Sequence, residues 1–171
     1  PDTVRHGSKK VVFESYPELG YNYRMTDIQA AMGVEQMKKL PWIVEQRLEL
    51  AAAYREQLAD VPGITLPAEP DYCRSNWQSF CVRLDEKIDQ FEVMQQLLDQ
   101  GIASRRGIMC AHREPAYASE DGEPSRSCGT LRHSEGSQEH CIVLPLFPGM
   151  TPEELNAVSS ALQDSLQSLG S

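Results

Sequence analysis

The sequence lacks the long apolar segments, the basic excess and the paired cysteines that define several protein classes. Its 171 residues contain no apolar run near the roughly 20 residues that a membrane-spanning helix needs. Lys and Arg number 16 against 25 Asp and Glu, so the net charge is −9. Such an acidic chain has no general attraction to a phosphate backbone or an anionic membrane surface, and we expect neither nucleic acid nor a membrane as a partner.

Common catalytic and metal-binding motifs are also missing. The five cysteines form no C-x-x-C pair, so we expect free thiols and a cytoplasmic location. Cys110-x-His112 and His140-Cys141 lack the spacing of zinc ligands, and we expect no metal site. The chain contains neither G-x-S-x-G nor a Walker-type glycine loop. Its start at Pro1, without Met or the apolar core of a signal peptide, suggests a cut through a longer protein.

The first half of the sequence predicts a long, interrupted helical arm over residues 27–60. Thr26 and Gln29 form a T-x-x-Q capping box, in which each side chain satisfies a free backbone N–H of the other residue. Pro41 is expected to end or kink the first helix, or to open a second one in its first turn. Pro62-Gly63 then stops the arm.

The second half predicts a small α+β domain with a short, mainly antiparallel sheet and helices on one face. Short apolar runs predict strands over 77–84, 102–109 and 141–146, and helical periodicity covers 90–100. Thr151-Pro152-Glu153-Glu154 is a strong helix start, followed by an apolar face up to Leu169. The polar stretch 113–139 is expected to be a long loop.

Two polar clusters are candidate anion sites. Asn22 and Arg24 lie just before the capped helix, where an amide, a guanidinium and the helix dipole favour an anion. The alternative is a polar turn with Tyr21 and Tyr23 packed against the core. Arg105-Arg106, with His112 a few residues later, could also meet an anionic ligand or form a solvated charge pair, and composition does not separate these two.

Several of these stretches together resemble the DegT/StrS-type sugar aminotransferases. The block Gly20-Tyr21-Asn22-Tyr23-Arg24-Met25-Thr26-Asp27 is similar to a specific signature of that family. Residues 101–107 with His112 and Pro115-Ala116-Tyr117 resemble its "GI-x-x-R … H-x-x-P-x-Y" stretch, and 144–151 its "LPL-x-P-x-MT" close. Arg5-His6-Gly7 resembles a short piece that precedes the first block. One departure is Leu131-Arg132-His133-Ser134-Glu135, where the family usually has Leu-Pro-x-Ala/Ser-Glu.

The resemblance implies an aspartate-aminotransferase fold (fold type I) and pyridoxal phosphate (PLP) as cofactor. Family members transfer an amino group, commonly from glutamate, to a keto group of a nucleotide-linked sugar. Their Schiff-base lysine precedes the Arg-His-Gly element, whereas Lys9 and Lys10 follow it. We therefore expect residues 1–25 to be a remnant of the large cofactor-binding domain, 26–62 a connecting arm and 63–171 the small C-terminal domain. Such a chain would be inactive by itself.

Site roles carry over from the resemblance residue by residue. Asn22 matches the family Asn that reaches the PLP phosphate of the neighbouring subunit, which implies a homodimer, and Arg24 is a second candidate for cofactor binding or a structural anchor. Tyr21, Arg105 and His112 match positions near the substrate. Two other interpretations stay open: a naturally short, non-catalytic module for dimerisation or sugar-nucleotide binding, and a relative with another chemistry such as sugar dehydration.

Overall fold

The computed structural model describes residues 8–13, 15–18, 20–117 and 129–169. The Arg5-His6-Gly7 element lies outside these residues. The predicted arm is present as helix α1 (Asp27–Met37) and helix α2 (Leu40–Gln57). At the start of α1, the backbone N–H of Gln29 donates to Thr26 Oγ1, and the backbone N–H of Thr26 donates to Gln29 Oε1. Pro41 occupies the first turn of α2, where its missing N–H costs nothing. The capping box and the interruption are both confirmed.

The sheet has four short antiparallel strands. They are β1 (Ile64–Thr65), β2 (Phe80–Leu84), β3 (Arg105–Arg106) and β4 (Cys141–Leu144), in the spatial order β1-β2-β4-β3. Side chains alternate between the two faces of a strand, and directly paired residues share a face. Phe80 lies opposite Leu144 and Val82 opposite Ile142, so these four face the core.

Three helices cover the core face of this sheet. Helix α3 (Gln90–Asp99) is capped by the Asp89 carboxylate, and helix α5 (Pro152–Leu169) begins with the predicted Thr151 and Glu154 capping box. They pack on each other and, together with α2, on the strands. The α+β architecture predicted from the sequence is confirmed. The largest fully buried side chains of the core are Tyr54, Leu58, Phe80, Val82, Leu84, Val93, Leu97, Ile142, Leu144 and Leu162.

The stretch 113–139 contains regular structure, so the prediction of a loop over its whole length is wrong. Two 3₁₀ turns span Ala111–Arg113 and Pro115–Tyr117, and helix α4 spans Arg132–His140. Residues 118–128 lie outside the described part. Helix α4 has no buried residue and no side-chain N-cap, and its polar sequence carries no apolar periodicity that would reveal a helix.

Helix α4 lies at the opposite face of the sheet. Residues Arg83 and Cys141 are paired and face away from the core, and Gly136 of α4 approaches the Arg83 guanidinium. The strands are also shorter than predicted. The Trp77 backbone has a positive φ of 46°, which is not an extended conformation, and β2 begins only at Phe80. Pro145 has no N–H for the ladder, and β4 ends before it.

Candidate functional site

The segment before α1 presents its polar side chains outward. Tyr21, Asn22 and Arg24 are exposed, and the rings of Tyr21 and Tyr23 meet edge to face at 6.4 Å. The alternative in which both tyrosines pack against the core is therefore not what the structure shows. Within the described residues, the Asn22 and Arg24 side chains have no hydrogen-bond partner. An amide and a guanidinium, both suitable hydrogen-bond donors to an anion, thus project near the positive end of a capped helix.

Arg105 lies elsewhere, in a cavity of about 520 Å³ beneath residues 8–13 and 15–16. We call these residues the N-terminal segment. This segment is fixed to α3, because the Val11 N–H donates to Gln95 Oε1 at 2.9 Å. Phe13 packs edge to face on Phe91 with ring centres 6.0 Å apart. We call this space the arginine cavity, since its polar lining includes the guanidinium groups of Arg105 and Arg106.

Arg106 and Glu114 connect the N-terminal segment to the 3₁₀ turns. The Arg106 guanidinium lies 4.9 Å from the Phe13 ring centre and 3.8 Å from Glu114 Oε1. The other Glu114 oxygen accepts from the Tyr16 N–H at 3.0 Å, and Tyr16 O accepts from the Ala116 N–H. Because Glu114 is buried, these partners compensate the desolvation of its charge.

His112 lies in the first 3₁₀ turn and contacts helix α4. Its Nε2 is 2.9 Å from Glu135 Oε1, while Arg113 Nη2 is 3.5 Å from the second Glu135 oxygen. Arg113 Nη1 also donates to Glu139 at 2.6 Å. This hydrogen bond holds the pKa of Glu139 below its ordinary value and raises the pKa of Arg113. Charged contacts, rather than apolar packing, therefore join the turn to α4.

Two hydrogen bonds of Gln138 complete this attachment. Its side-chain oxygen accepts from the Cys110 N–H, and its backbone oxygen accepts from the Gln90 amide. Gln90, which is buried on α3, also donates to the backbone oxygen of Cys141. Helix α4 is thereby joined to the start of the first 3₁₀ turn through Cys110 and to helix α3 through Gln90.

A second cavity, of about 590 Å³, opens between this turn and α4. We call it the α4 cavity. It shares Gly107, Ile108 and Met109 with the arginine cavity. His112 lines this cavity, and helix α4 contributes His133, Ser134 and Ser137 to its lining.

Cys81 and Cys141, on neighbouring strands, are also among the residues that line the α4 cavity. Burial, together with the nearby Cys141 thiol, raises the pKa of Cys81 to about 12. A thiol with so high a pKa stays protonated at neutral pH and is a poor nucleophile. Among the described residues, no three His, Cys, Asp or Glu side chains are arranged to hold a metal ion. No helix in the described ranges is long and apolar enough to cross a membrane.

The structure thus places the sequence-predicted residues in three regions. Tyr21, Asn22 and Arg24 lie before α1, Arg105 lines the arginine cavity and His112 lines the α4 cavity. Sequence reasoning did not single out Glu135, which contacts His112 from 23 positions away. Its one sequence signal is its position as the closing Glu of the Leu131–Glu135 stretch.

Comparisons with known proteins agree with this architecture and with the motif blocks. The sequence profile of the DegT/DnrJ/EryC1/StrS aminotransferase family matches residues 3–163. The chain belongs to this family. Its sugar aminotransferases depend on PLP, which makes PLP the implied cofactor.

Solved structures of sugar-aminotransferase relatives are similar to this chain. DesV from S. venezuelae, solved with a ketimine intermediate, is 28% identical with a TM-score of 0.71 over 85% of this chain and 38% of DesV. DesI, solved in the presence of its TDP-sugar product, is 26% identical with a TM-score of 0.72 over 85% of this chain and 37% of DesI. The aminotransferase TlmJ from Streptoalloteichus hindustanus, 24% identical with a TM-score of 0.71 over 86% of this chain, shares the fold and is covered over 38% of its length.

The residues before α1 fit one part of PLP. Asn22 offers an amide and Arg24 a guanidinium, which are suitable donors to a phosphate beside a helix N-terminus. Both are exposed and without a partner in the described part of the chain, so they are available to a group that approaches from outside it. Asn22 and Arg24 lie on an open surface rather than in an enclosed pocket.

Proposed function

We propose that this chain is the C-terminal portion of a PLP-dependent aminotransferase that acts on nucleotide-linked keto sugars, with glutamate as the amino donor. The family assignment supports the aminotransferase class, and the TDP-sugar product of DesI supports a nucleotide-linked substrate. The observation that carries the proposal is the exposed Tyr21–Thr26 segment. It matches the family signature, and among the described residues the side chains of Asn22 and Arg24 have no partner and can bind an anion from outside the chain.

In this proposal, Asn22 donates to the PLP phosphate of a neighbouring subunit, and Arg24 adds a positive charge beside it. PLP would supply the electron sink that makes amino transfer possible. Tyr21, Arg105 and His112 contact the substrate. The chain then works as a homodimer in the cytoplasm, because phosphate donors exposed on its surface need a second subunit to complete an enclosed cofactor site.

The domain organisation follows from the same proposal. Residues 1–25 are the end of the large domain, 26–62 the connecting arm and 63–171 the small C-terminal domain. Lys9 and Lys10 lie after the position of the family Schiff-base lysine, and both are exposed. We therefore assign neither as the Schiff-base lysine, and we expect this chain to be inactive by itself.

Borohydride reduction in the presence of PLP tests the missing lysine. We expect no lysine of the isolated chain to become labelled selectively, and no transamination of a nucleotide-linked keto sugar. Selective labelling of one lysine would contradict the proposal. The reading frame upstream of Pro1 supplies the complementary test, and we expect an in-frame extension that carries the Schiff-base lysine before Arg5-His6-Gly7.

A start codon immediately before Pro1 would instead favour the second candidate, a short non-catalytic module for dimerisation or sugar-nucleotide binding. The exposed apolar side chains of α1 favour an association role in either case. If the extension is found, Asn22→Ala in the extended enzyme is expected to weaken PLP binding. The matched variant Gln78→Ala, an exposed change outside the arm, should leave it unchanged.

A further inference from the structure

We infer that the α4 cavity is a binding site for the hydroxyl groups of a neutral sugar ring, and that Glu135 orients His112 so that Nδ1 accepts a hydrogen bond from one of them. This inference rests on the proposed function, because it names the part of the substrate that this site would take. Glu135 is then a positioning residue, which acts on the ligand through His112.

The lining of the α4 cavity argues for a neutral ligand. Among the described residues, no Lys, Arg, Asp or Glu lines it, and its polar groups are imidazoles, hydroxyls and thiols. Proteins bind phosphate mainly with guanidinium, ammonium or clustered backbone N–H groups. The arginine cavity on the other side of Gly107–Met109 has two guanidinium groups and Lys10. The described linings of the two cavities therefore differ in charge, and that of the α4 cavity suits hydroxyls.

The contact between Glu135 and His112 determines which ring nitrogen faces a ligand. At neutral pH an ionised glutamate can only accept hydrogen bonds, so Nε2 must carry the proton across the distance of 2.9 Å. In a neutral imidazole the other nitrogen, Nδ1, is then an acceptor. His112 Nδ1 is not among the buried polar atoms that lack a partner, and no described residue donates to it. Among the described residues it is therefore open to a donor such as a sugar hydroxyl.

Glu135 is itself held in place from several sides. Its second oxygen faces Arg113, and the next turn of α4 is fixed by the contact of Gln138 with Cys110. The His112 side chain is only 15% exposed, so its ring has little freedom to turn. Such a pre-ordered acceptor loses little entropy when a hydroxyl binds.

The tautomer of His112 tests the positioning role without any ligand. In the full chain labelled with ¹⁵N-histidine, two-bond ¹H–¹⁵N spectra at about pH 8 report neutral rings, and His112→Asn assigns the signal. We expect the Nε2–H form in the wild type and in Glu135→Gln, because the Gln oxygen also accepts. Glu135→Ala should give a mixture of both tautomers. Glu139→Gln, on the same helix and without contact to His112, should leave the signal unchanged.

Two results of that experiment would overturn the positioning role. One is an Nδ1–H tautomer in the wild type, which is decisive even if Glu135→Ala does not fold. The other is a folded Glu135→Ala, judged by far-UV circular dichroism, with the wild-type tautomer.

Titration with TDP-glucose and with TDP alone tests the ligand class. We expect TDP-glucose to shift the His112 signals and TDP to leave them unchanged. Affinity for TDP-glucose should fall about tenfold in His112→Ala, which removes the acceptor, and about twofold in Glu135→Ala, where roughly half of the rings keep Nδ1 as acceptor. Glu139→Gln should leave it unchanged. An equal shift by TDP alone, or none at His112 with millimolar TDP-glucose, would overturn the inference. Neither result bears on the aminotransferase proposal, which the lysine labelling and the upstream reading frame judge separately.

Discussion

The hydroxyl of Tyr54 donates a hydrogen bond of 2.8 Å to the backbone oxygen of Pro145 and so ties helix α2 to the chain that follows β4. Tyr54 is fully buried, and its ring stacks on Phe80 with centres 5.0 Å apart. The second helix of the arm therefore belongs to the same hydrophobic core as the sheet. The first helix does not, since α1 has no buried residue.

Tyr54→Phe is expected to destabilise the fold while it preserves the ring packing. The substitution removes one hydrogen bond between elements 91 residues apart and leaves the Pro145 oxygen without this donor. We expect the free energy of unfolding to fall by about 1 kcal/mol in urea denaturation. Tyr72→Phe is the matched control, since Tyr72 is 90% exposed, and it should change nothing. Equal stabilities of the two variants would show that the hydrogen bond contributes nothing.

The elements that depend on local sequence were predictable. The Thr26–Gln29 capping box, Pro41 in the first turn of α2 and the Thr151 helix start are all encoded within a few neighbouring residues, and each is present. Helix α4 was not predictable, because its polar sequence has no apolar period and its position depends on contacts with residues far along the chain. His112 and Glu135 are such a pair, 23 positions apart.

The stability of the fold is expected to decline at alkaline pH through Cys81. Burial raises the pKa of this thiol from 9.0 to about 12 in the folded state, so the unfolded chain loses its proton at lower pH than the folded chain. The folded state then binds more protons between these two values, and the free energy of unfolding falls as pH rises from about 9 to about 12.

Urea denaturation from pH 8 to pH 11 measures this effect. Cys81→Ala should have a shallower decline than the wild type over this range. Cys73→Ala serves as the control, because Cys73 is exposed, and it should keep the wild-type slope. Identical slopes in all three proteins would assign the alkaline sensitivity to other groups, of which the buried Tyr54, with a pKa raised by burial, is the next to test.

Gly107 is expected to tolerate no side chain, because it lies where β3 meets α4. A Cβ at this position would come within 2.5 Å of the Ser137 backbone oxygen and 3.0 Å of Cys141 Cβ. We expect Gly107→Ala to lower the free energy of unfolding by about 1–3 kcal/mol, as for other overpacked sites. Gly33→Ala is the opposite control, since nothing lies within 4 Å of its Cβ, and Ala should strengthen α1. A neutral Gly107→Ala would mean that α4 can move away from the sheet.

The candidate site was predictable only in part, for a related reason. Asn22 and Arg24 lie in one continuous signature, and the structure shows them exposed beside the helix cap. Arg105 and His112 were identified as a single cluster, yet they line different cavities. Spacing along a chain does not determine on which side of Gly107–Met109 a side chain emerges, because that depends on the N-terminal segment and on α4.

Helix α1 offers the sharpest test of the homodimer proposed above. Ile28 is 77% exposed and Met32, one turn later, is 65% exposed, so they form an apolar strip with no cover among the described residues. If this strip lies in the dimer interface, Ile28→Lys would bury an ammonium without a partner. We expect the dimer dissociation constant, measured by sedimentation equilibrium, to rise by at least about tenfold, with unchanged circular dichroism. Gln78→Lys adds the same charge at an exposed position outside the arm and should leave the constant unaltered. Equal dissociation constants for the two variants would place the interface elsewhere and assign the strip on α1 to another partner, of which the large domain of the same chain is the first to test.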